Sequence, residues 1–207
     1  LGVLKAGAGY LPLLPDTPKE RLVSILEQTK PKLFLCDGSV SYDIRSGVES
    51  ELTDLSKTDL ANFASESLKL PYHGSHAAYS IFTSGSTGMP KGLVVTQDNL
   101  LGNLSALADI YPVKPGDRLL QACSQAFDVS VFEIFFAFFK GMPLCFAGKD
   151  ELFQDIEHGI RALEVTHLSL TPTVAALVDP KNVPSVRFLV TAGEAMTDVV
   201  HRRWAEN

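Results

Sequence analysis

A chain of 207 residues with 45% hydrophobic content carries enough apolar side chains for one or two modest domains with a sizeable core. Its formal net charge of −6, from 24 acidic and 18 basic residues without a basic cluster, argues against a nucleic-acid or anionic-membrane partner. Three scattered cysteines (Cys36, Cys123 and Cys145) show neither metal spacing nor a disulfide framework, so each reads as a small buried apolar residue in a reducing, cytoplasmic setting. No signal peptide is visible, and the most apolar run, 129–139, contains Glu133 and is too short to span a bilayer.

In chain order, residues 1–6 read as the tail of a helix already under way, and 198–207 stop in a helix-like segment without a cap signal. The expectation is a piece of a longer protein. An amphipathic helix is predicted over 18–28, with Leu22, Ile25 and Leu26 on one face, followed by a short buried strand at 32–36. Residues 37–76 are polar and poorly periodic, which predicts a surface connection with a short strand near Glu51. From Tyr79 the pattern sharpens into a hairpin, then a helix over 98–110. Strands at 118–122, 143–147, 167–170 and 187–191 follow, alternating with helices at 129–140, 152–164 and 174–178. This alternation predicts an α/β fold with a largely parallel sheet flanked by helices. Ligands of such folds bind at the carboxyl ends of the strands.

The hairpin carries the strongest chemical signal. Thr83-Ser84-Gly85-Ser86-Thr87-Gly88-Met89-Pro90-Lys91-Gly92 lies between the strand-like stretches 79–82 and 93–95. Glycines permit close backbone approach, while hydroxyls, exposed N–H groups and an ammonium suit the dense negative charge of a polyphosphate. A hydroxyl-rich loop between strands is more often only a loop. Here the lysine, the proline before it and both flanking strands fall in one register. The spacing is not that of a Walker P-loop, which needs Gly-Lys-Ser/Thr and a following helix, so ordinary P-loop NTPases are disfavoured.

Residues 84–92 resemble the signature of adenylate-forming enzymes: acyl-CoA synthetases, luciferases and the adenylation domains of nonribosomal peptide synthetases. Four further segments agree in order. Residues 4–12 with Pro15, Pro18 and Arg21 resemble the second core motif of peptide-synthetase adenylation domains, and Phe127-Asp128-Val129-Ser130 the fourth. Leu170-Thr171-Pro172-Thr173 resembles the turn after a pocket strand, and Thr191-Ala192-Gly193-Glu194-Ala195 the start of the fifth motif. The resemblance implies the central part of a large adenylation domain, with 1–76 as its first part and 77–207 binding nucleotide and amino acid. The small carboxyl-terminal domain would be absent.

It also implies roles for single residues. Thr83, Ser84, Gly85, Ser86, Thr87, Gly88 and Lys91 would hold the phosphates of ATP, with Mg²⁺ sharing their charge; Gly193 and Glu194 would lie near the adenine. Asp128 would pair with the α-ammonium of an amino acid, an anchor that fatty-acyl and aryl relatives generally lack. From the residues alone it could equally be an ordinary helix cap. Phe127, Val129, Phe132, Ser169, Val190 and Ala192 would line the pocket, although each could equally be a routine core residue. Such a lining is roomy and free of a second charge, which favours a large or modified amino acid. One departure is Gln97, where relatives commonly place a histidine after the loop strand.

The implied reaction is ATP-dependent formation of aminoacyl-AMP. Transfer to a phosphopantetheine thiol would follow, on a peptidyl carrier domain that shares one synthetase with condensation domains in secondary metabolite biosynthesis. This chain alone would be inactive. The alternatives are an acyl- or aryl-CoA synthetase and a catalytically inactive nucleotide-binding module.

Overall fold

The computed structural model describes residues 1–38, 51–84 and 90–206, apart from the side chain of Ser84. They form two compact units, Leu1–Leu100 and Leu101–Asn207. No helix among the described residues is long and apolar enough to cross a membrane.

In the first unit, α1 (Gly2–Lys5) is a single turn and α2 (Lys19–Thr29) buries the expected stripe of Leu22, Ile25 and Leu26. Strands β1 (Leu33–Cys36) and β2 (Glu51–Asp54) pair in parallel. The expectation of a buried strand at 32–36 is corrected: Leu33 is 47% and Leu35 41% exposed. Among the described residues β1 pairs only with β2, so one of its edges stays unpaired, and the face bearing Leu33 and Leu35 is largely uncovered. Cys36 and Cys123 are likewise only half-buried, and Cys145 alone among the three is fully buried.

Strands β3 (Ala77–Ser84) and β4 (Pro90–Thr96) form an antiparallel hairpin with Ser84 opposite Pro90, Thr83 opposite Lys91 and Phe82 opposite Gly92. A β-carbon at Gly92 would stand 2.7 Å from the tip of the Phe82 ring, so any larger residue there would have to displace that ring. Helix α3 (Gln97–Ile110) follows directly and runs out of the first unit.

The second unit is built on four parallel strands, β5 (Leu119–Leu120), β6 (Leu144–Cys145), β7 (His167–Leu170) and β8 (Phe188–Thr191), in the order β6-β5-β7-β8. The connections are α4 (Asp128–Lys140), α5 (Lys149–Gln154), α6 (Ile156–Ala162) and α7 (Pro172–Ala175), and α8 (Asp198–Ala205) closes the unit. The expected helix over 152–164 is broken at Asp155. Its carboxylate accepts the His158 N–H at 2.9 Å and caps α6, a local alternative that aspartate offers against continuing a helix. Helix α7 begins earlier than expected, because Thr171 accepts the Val174 N–H and Pro172 occupies the first helical position.

The two faces of this sheet differ. Leu120, Leu168 and Leu170 join Leu152, Ile156, Ile160, Ala175, Val178 and Val200 in an aliphatic core under α5 to α8. Burying each of the larger members contributes about 1.5–3 kcal/mol. The opposite face is aromatic. Tyr111 packs edge-on against Phe132, Phe136 and Phe188 with centroids 5.4, 5.8 and 5.1 Å away, and His167 lies 5.3 Å from Phe188. Helix α4 therefore covers this second face.

Candidate functional site

Strand order locates the site. The chain leaves β5 for β6 on one side and then returns to β7 on the other, so strand connections diverge at β5 and β7. A crevice at the carboxyl ends of such strands is the usual ligand position in open α/β sheets. Gln121 to Phe127 follow β5, Thr171-Pro172-Thr173 follow β7, and Ala192-Gly193-Glu194 follow β8.

Three of the pocket candidates, Phe132, Ser169 and Val190, lie on the aromatic face. Ser169 pairs with Val190 in register, His167 with Phe188, and side chains two apart on a strand share a face. Ser169 and Val190 thus lie on the side where Phe188 meets Tyr111, and Tyr111 meets Phe132 of α4. Ser169 is buried; Val129, Phe132, Val190 and Ala192 are half-buried. Ala192 sits just past β8, its N–H held by the Leu170 carbonyl at 3.2 Å.

Asp128 is the first residue of α4, and Phe127 occupies the cap position without a side-chain bond. The ordinary-cap alternative for Asp128 is thereby removed. Both Phe127 and Asp128 are exposed, and Asp128 makes no hydrogen bond or ion pair with the described residues. A carboxylate in the first turn is favoured by the helix dipole. It is accessible to a cation.

The loop before α4 is held from within the helix. Ser130 donates its hydroxyl to the Phe127 carbonyl at 2.7 Å, and Phe127 N–H bonds the Ser124 carbonyl at 3.0 Å. Glu133, fully buried, accepts the Cys123 N–H at 3.0 and 3.2 Å through its two oxygens, and Gln121 Nε2 donates to it at 3.3 Å. Burial pushes the Glu133 carboxyl up to about 7, against the lowering effect of those donors. Burial, then the Glu133 charge, pushes the Cys123 thiol up to about 11, which makes it a poor nucleophile. Sequence reasoning did not assign Glu133 a role; the signal was a lone carboxylate inside the apolar run 129–139.

Gly193 has φ +85°, and Glu194 reaches back to α7. Its Oε2 accepts the Thr173 N–H at 3.0 Å and the Thr173 hydroxyl at 2.5 Å, tying the turns after β7 and β8 together. The Thr173 hydroxyl, with the Thr173 N–H next, holds the Glu194 carboxyl below the usual carboxylate range. In Thr173→Val the Glu194 carboxyl should titrate at higher pH, as read by carboxyl NMR shifts. An unchanged titration would mean the hydroxyl contact is not formed.

In the first unit, Thr83 and Lys91 face each other across the hairpin mouth, both exposed, with Thr83 Oγ1 3.5 Å from the Lys91 carbonyl. Gly85, Ser86, Thr87 and Gly88, and the side chain of Ser84, lie outside the described residues.

Residues 1–207 match the family described as AMP-binding enzyme. Nonribosomal peptide synthetase 2 of Cochliobolus heterostrophus is 57% identical over 205 residues, and nonribosomal peptide synthetase SIDC of Beauveria bassiana 50% over 206. Each match covers 99% of this chain and 4% of the relative, so the chain spans a small fraction of the curated proteins it matches. The solved AMPPNP-bound form of the nonribosomal peptide synthetase FmoA3 shares the fold, with TM-score 0.84 at 22% identity over 99% of this chain and 22% of that one. An open parallel sheet and a match along the whole length agree: the chain belongs to the AMP-binding enzyme family.

Proposed function

We propose that this chain is the central part of an adenylation domain that activates an amino acid as aminoacyl-AMP for nonribosomal peptide synthesis. The observation that carries the reading is Asp128, an exposed carboxylate at the start of α4 without a hydrogen-bond or ion-pair partner among the described residues, on the helix that covers the sheet face bearing Ser169 and Val190. The relatives' names and the AMPPNP and α-methyl-L-serine-AMP found in FmoA3 structures support it.

In this reading Asp128 pairs with the substrate ammonium, and Phe127, Val129, Phe132, Ser169, Val190 and Ala192 shape the side-chain pocket for a large or modified amino acid. The substrate carboxylate then attacks the α-phosphorus of ATP, and pyrophosphate leaves. Orientation and electrostatic stabilisation of two anions brought together are the protein's contribution. Thr83, Ser84, Gly85, Ser86, Thr87, Gly88 and Lys91 hold the β- and γ-phosphates, while Gly193 and Glu194 border the nucleotide. A hydroxyl and an ammonium opposed across a hairpin mouth fit a triphosphate. Mg²⁺ would share the charge of the phosphates held by these residues. The acyl group passes to a phosphopantetheine thiol on a carrier domain of the same cytoplasmic synthetase, which also holds condensation domains. Functionally the chain divides at 76/77, just before the hairpin.

Amino-acid-dependent ATP–pyrophosphate exchange on the parent synthetase tests this, with a panel that includes N-hydroxylated and acylated ornithines. Exchange with a large or modified amino acid is expected. No exchange with any amino acid, with ATP binding intact, overturns the reading; exchange only with acids lacking an α-amino group makes the parent an acyl- or aryl-CoA synthetase. In the same assay Lys91→Ala should raise the KM for ATP about three- to tenfold, the loss of one exposed charge-assisted contact of about 1 kcal/mol. The amino-acid KM should stay within about twofold.

A further inference from the structure

We propose that Glu133 is the positioning residue for Asp128: its buried carboxylate clamps the chain leaving β5 to the body of α4, and so sets where the start of α4 sits at the strand ends. The inference rests on the reading of Asp128 as the amino-acid anchor.

Three observations carry it. Glu133 is fully buried, so it touches neither solvent nor substrate, and its hydrogen-bond partners lie in the loop that precedes its own helix. Gln121 completes the clamp by donating Nε2 to the Cys123 carbonyl as well as to Glu133. The Gln121 N–H meanwhile bonds the Cys145 carbonyl at 2.8 Å, which fixes this residue to the sheet. The second tie is Ser130, in the first turn of α4, whose hydroxyl also approaches the Gln125 carbonyl at 3.3 Å. Between Cys123 and Ser130 lie only six residues, Ser124 to Val129, and Asp128 is one of them. The position of the Asp128 carboxylate is thus determined from inside α4.

A stabilising role alone would not select a carboxylate here. Taking a carboxylate out of water is costly, and well-packed apolar residues of similar volume are often neutral or stabilising at such places. The described residues give Glu133 no ion pair and no metal cluster. Two acceptor oxygens directed at one loop N–H and one amide do fit the task of fixing a loop. Removing them orphans the Cys123 N–H and releases the loop. A small shift of a substrate-positioning group has large kinetic effects.

The test uses the parent synthetase and ATP–pyrophosphate exchange with its amino acid. Glu133→Ala should raise the amino-acid KM about tenfold, leave the KM for ATP within about twofold, and be largely rescued in Glu133→Gln, which retains an acceptor for the Cys123 N–H. In an Asp128→Ala background the same change should add less than about twofold, because both act through one contact. If Glu133→Ala does not fold, Gln121→Leu carries the test and should raise the amino-acid KM about threefold. Equal rises in both KM values, or full additivity with Asp128→Ala, would mean general destabilisation and overturn the proposal. If Asp128→Ala raises the amino-acid KM while neither Glu133→Ala nor Gln121→Leu does, the positioning role alone fails. If Asp128→Ala itself has no effect, the anchor reading fails first and takes this inference with it.

Discussion

Asp128→Ala in the parent synthetase should lower kcat/KM for the amino acid roughly 10- to 150-fold in ATP–pyrophosphate exchange. The figure follows from the loss of one charged hydrogen-bonded contact of about 1.5–3 kcal/mol, at tenfold per 1.4 kcal/mol. Asp128 is exposed and has no partner among the described residues, so its removal should leave the fold intact, and loss of function cannot be blamed on unfolding. Surface substitutions of this kind usually stay within about 0.5 kcal/mol of stability. Two companion measurements sharpen the test. The KM for ATP should be unchanged, because the nucleotide is assigned to other residues. The variant should also lose most of its preference for the amino acid over the corresponding acid without the α-amino group, since the ammonium would no longer find its counter-charge. Retained preference would assign ammonium recognition to another residue.

How much of this was legible in the sequence depends on which interactions decided it. The parallel sheet was legible, since strand and helix periods alternate from residue 118 onward and each turn carries punctuation of its own. The hairpin around the hydroxyl-rich loop was also legible, because the strand-like flanks of residues 79–95 pair across Phe82 and Gly92. Burial of β1 was not. Leu33-Phe34-Leu35-Cys36 reads as a core strand by composition, but burial depends on what pairs and packs beside it, which lies elsewhere in the chain. The break at Asp155 was missed because one capping hydrogen bond outweighed a helical pattern that continued on both sides. At the site, motif order singled out Asp128, but not the side chains that place it. Glu133, Gln121 and Ser130 act on backbone groups of the neighbouring loop, and such contacts leave no periodic trace. Glu194 shows the same limit from the other direction. The motif marked it for nucleotide, whereas its carboxylate is engaged with Thr173, leaving the Gly193 turn as the part of that loop whose backbone is unusual.

A buried polar cluster at the amino ends of β7 and β8 should add measurably to the stability of the second unit. Asp117, 2% exposed, accepts the Lys114 N–H at 2.6 Å and pairs with the Arg187 guanidinium. His167 lies 3.8 Å from the same carboxylate; its Nε2 meets the Pro112 carbonyl at 2.9 Å and its Nδ1 the Thr166 hydroxyl at 2.8 Å. The carbonyl can only accept, so Nε2 carries the proton and the neutral ring takes the Thr166 hydroxyl at Nδ1. These contacts join the turn before β5 to the starts of β7 and β8. Asp117→Ala leaves the guanidinium and the Lys114 N–H without their acceptor, and should cost about 3 kcal/mol in urea unfolding of the chain. Asp117→Asn, which keeps the acceptor but not the charge, should cost about half as much. Equal losses in the two variants would show that packing, not the polar contacts, holds this corner. The histidine adds a pH signature. Burial holds the folded His167 below the ordinary histidine range of about 6.5, so the unfolded chain binds more protons as pH falls. Its contribution is complete above about pH 6.5 and is lost as pH drops through the lowered folded value. Glu133 has the opposite sign: with its carboxyl raised to about 7, its contribution is present below the ordinary glutamate range and lost as pH climbs through that value. Across this window the two contributions oppose each other, so urea midpoints should rise less with pH in His167→Gln and fall less with pH in Glu133→Gln than in the unsubstituted chain.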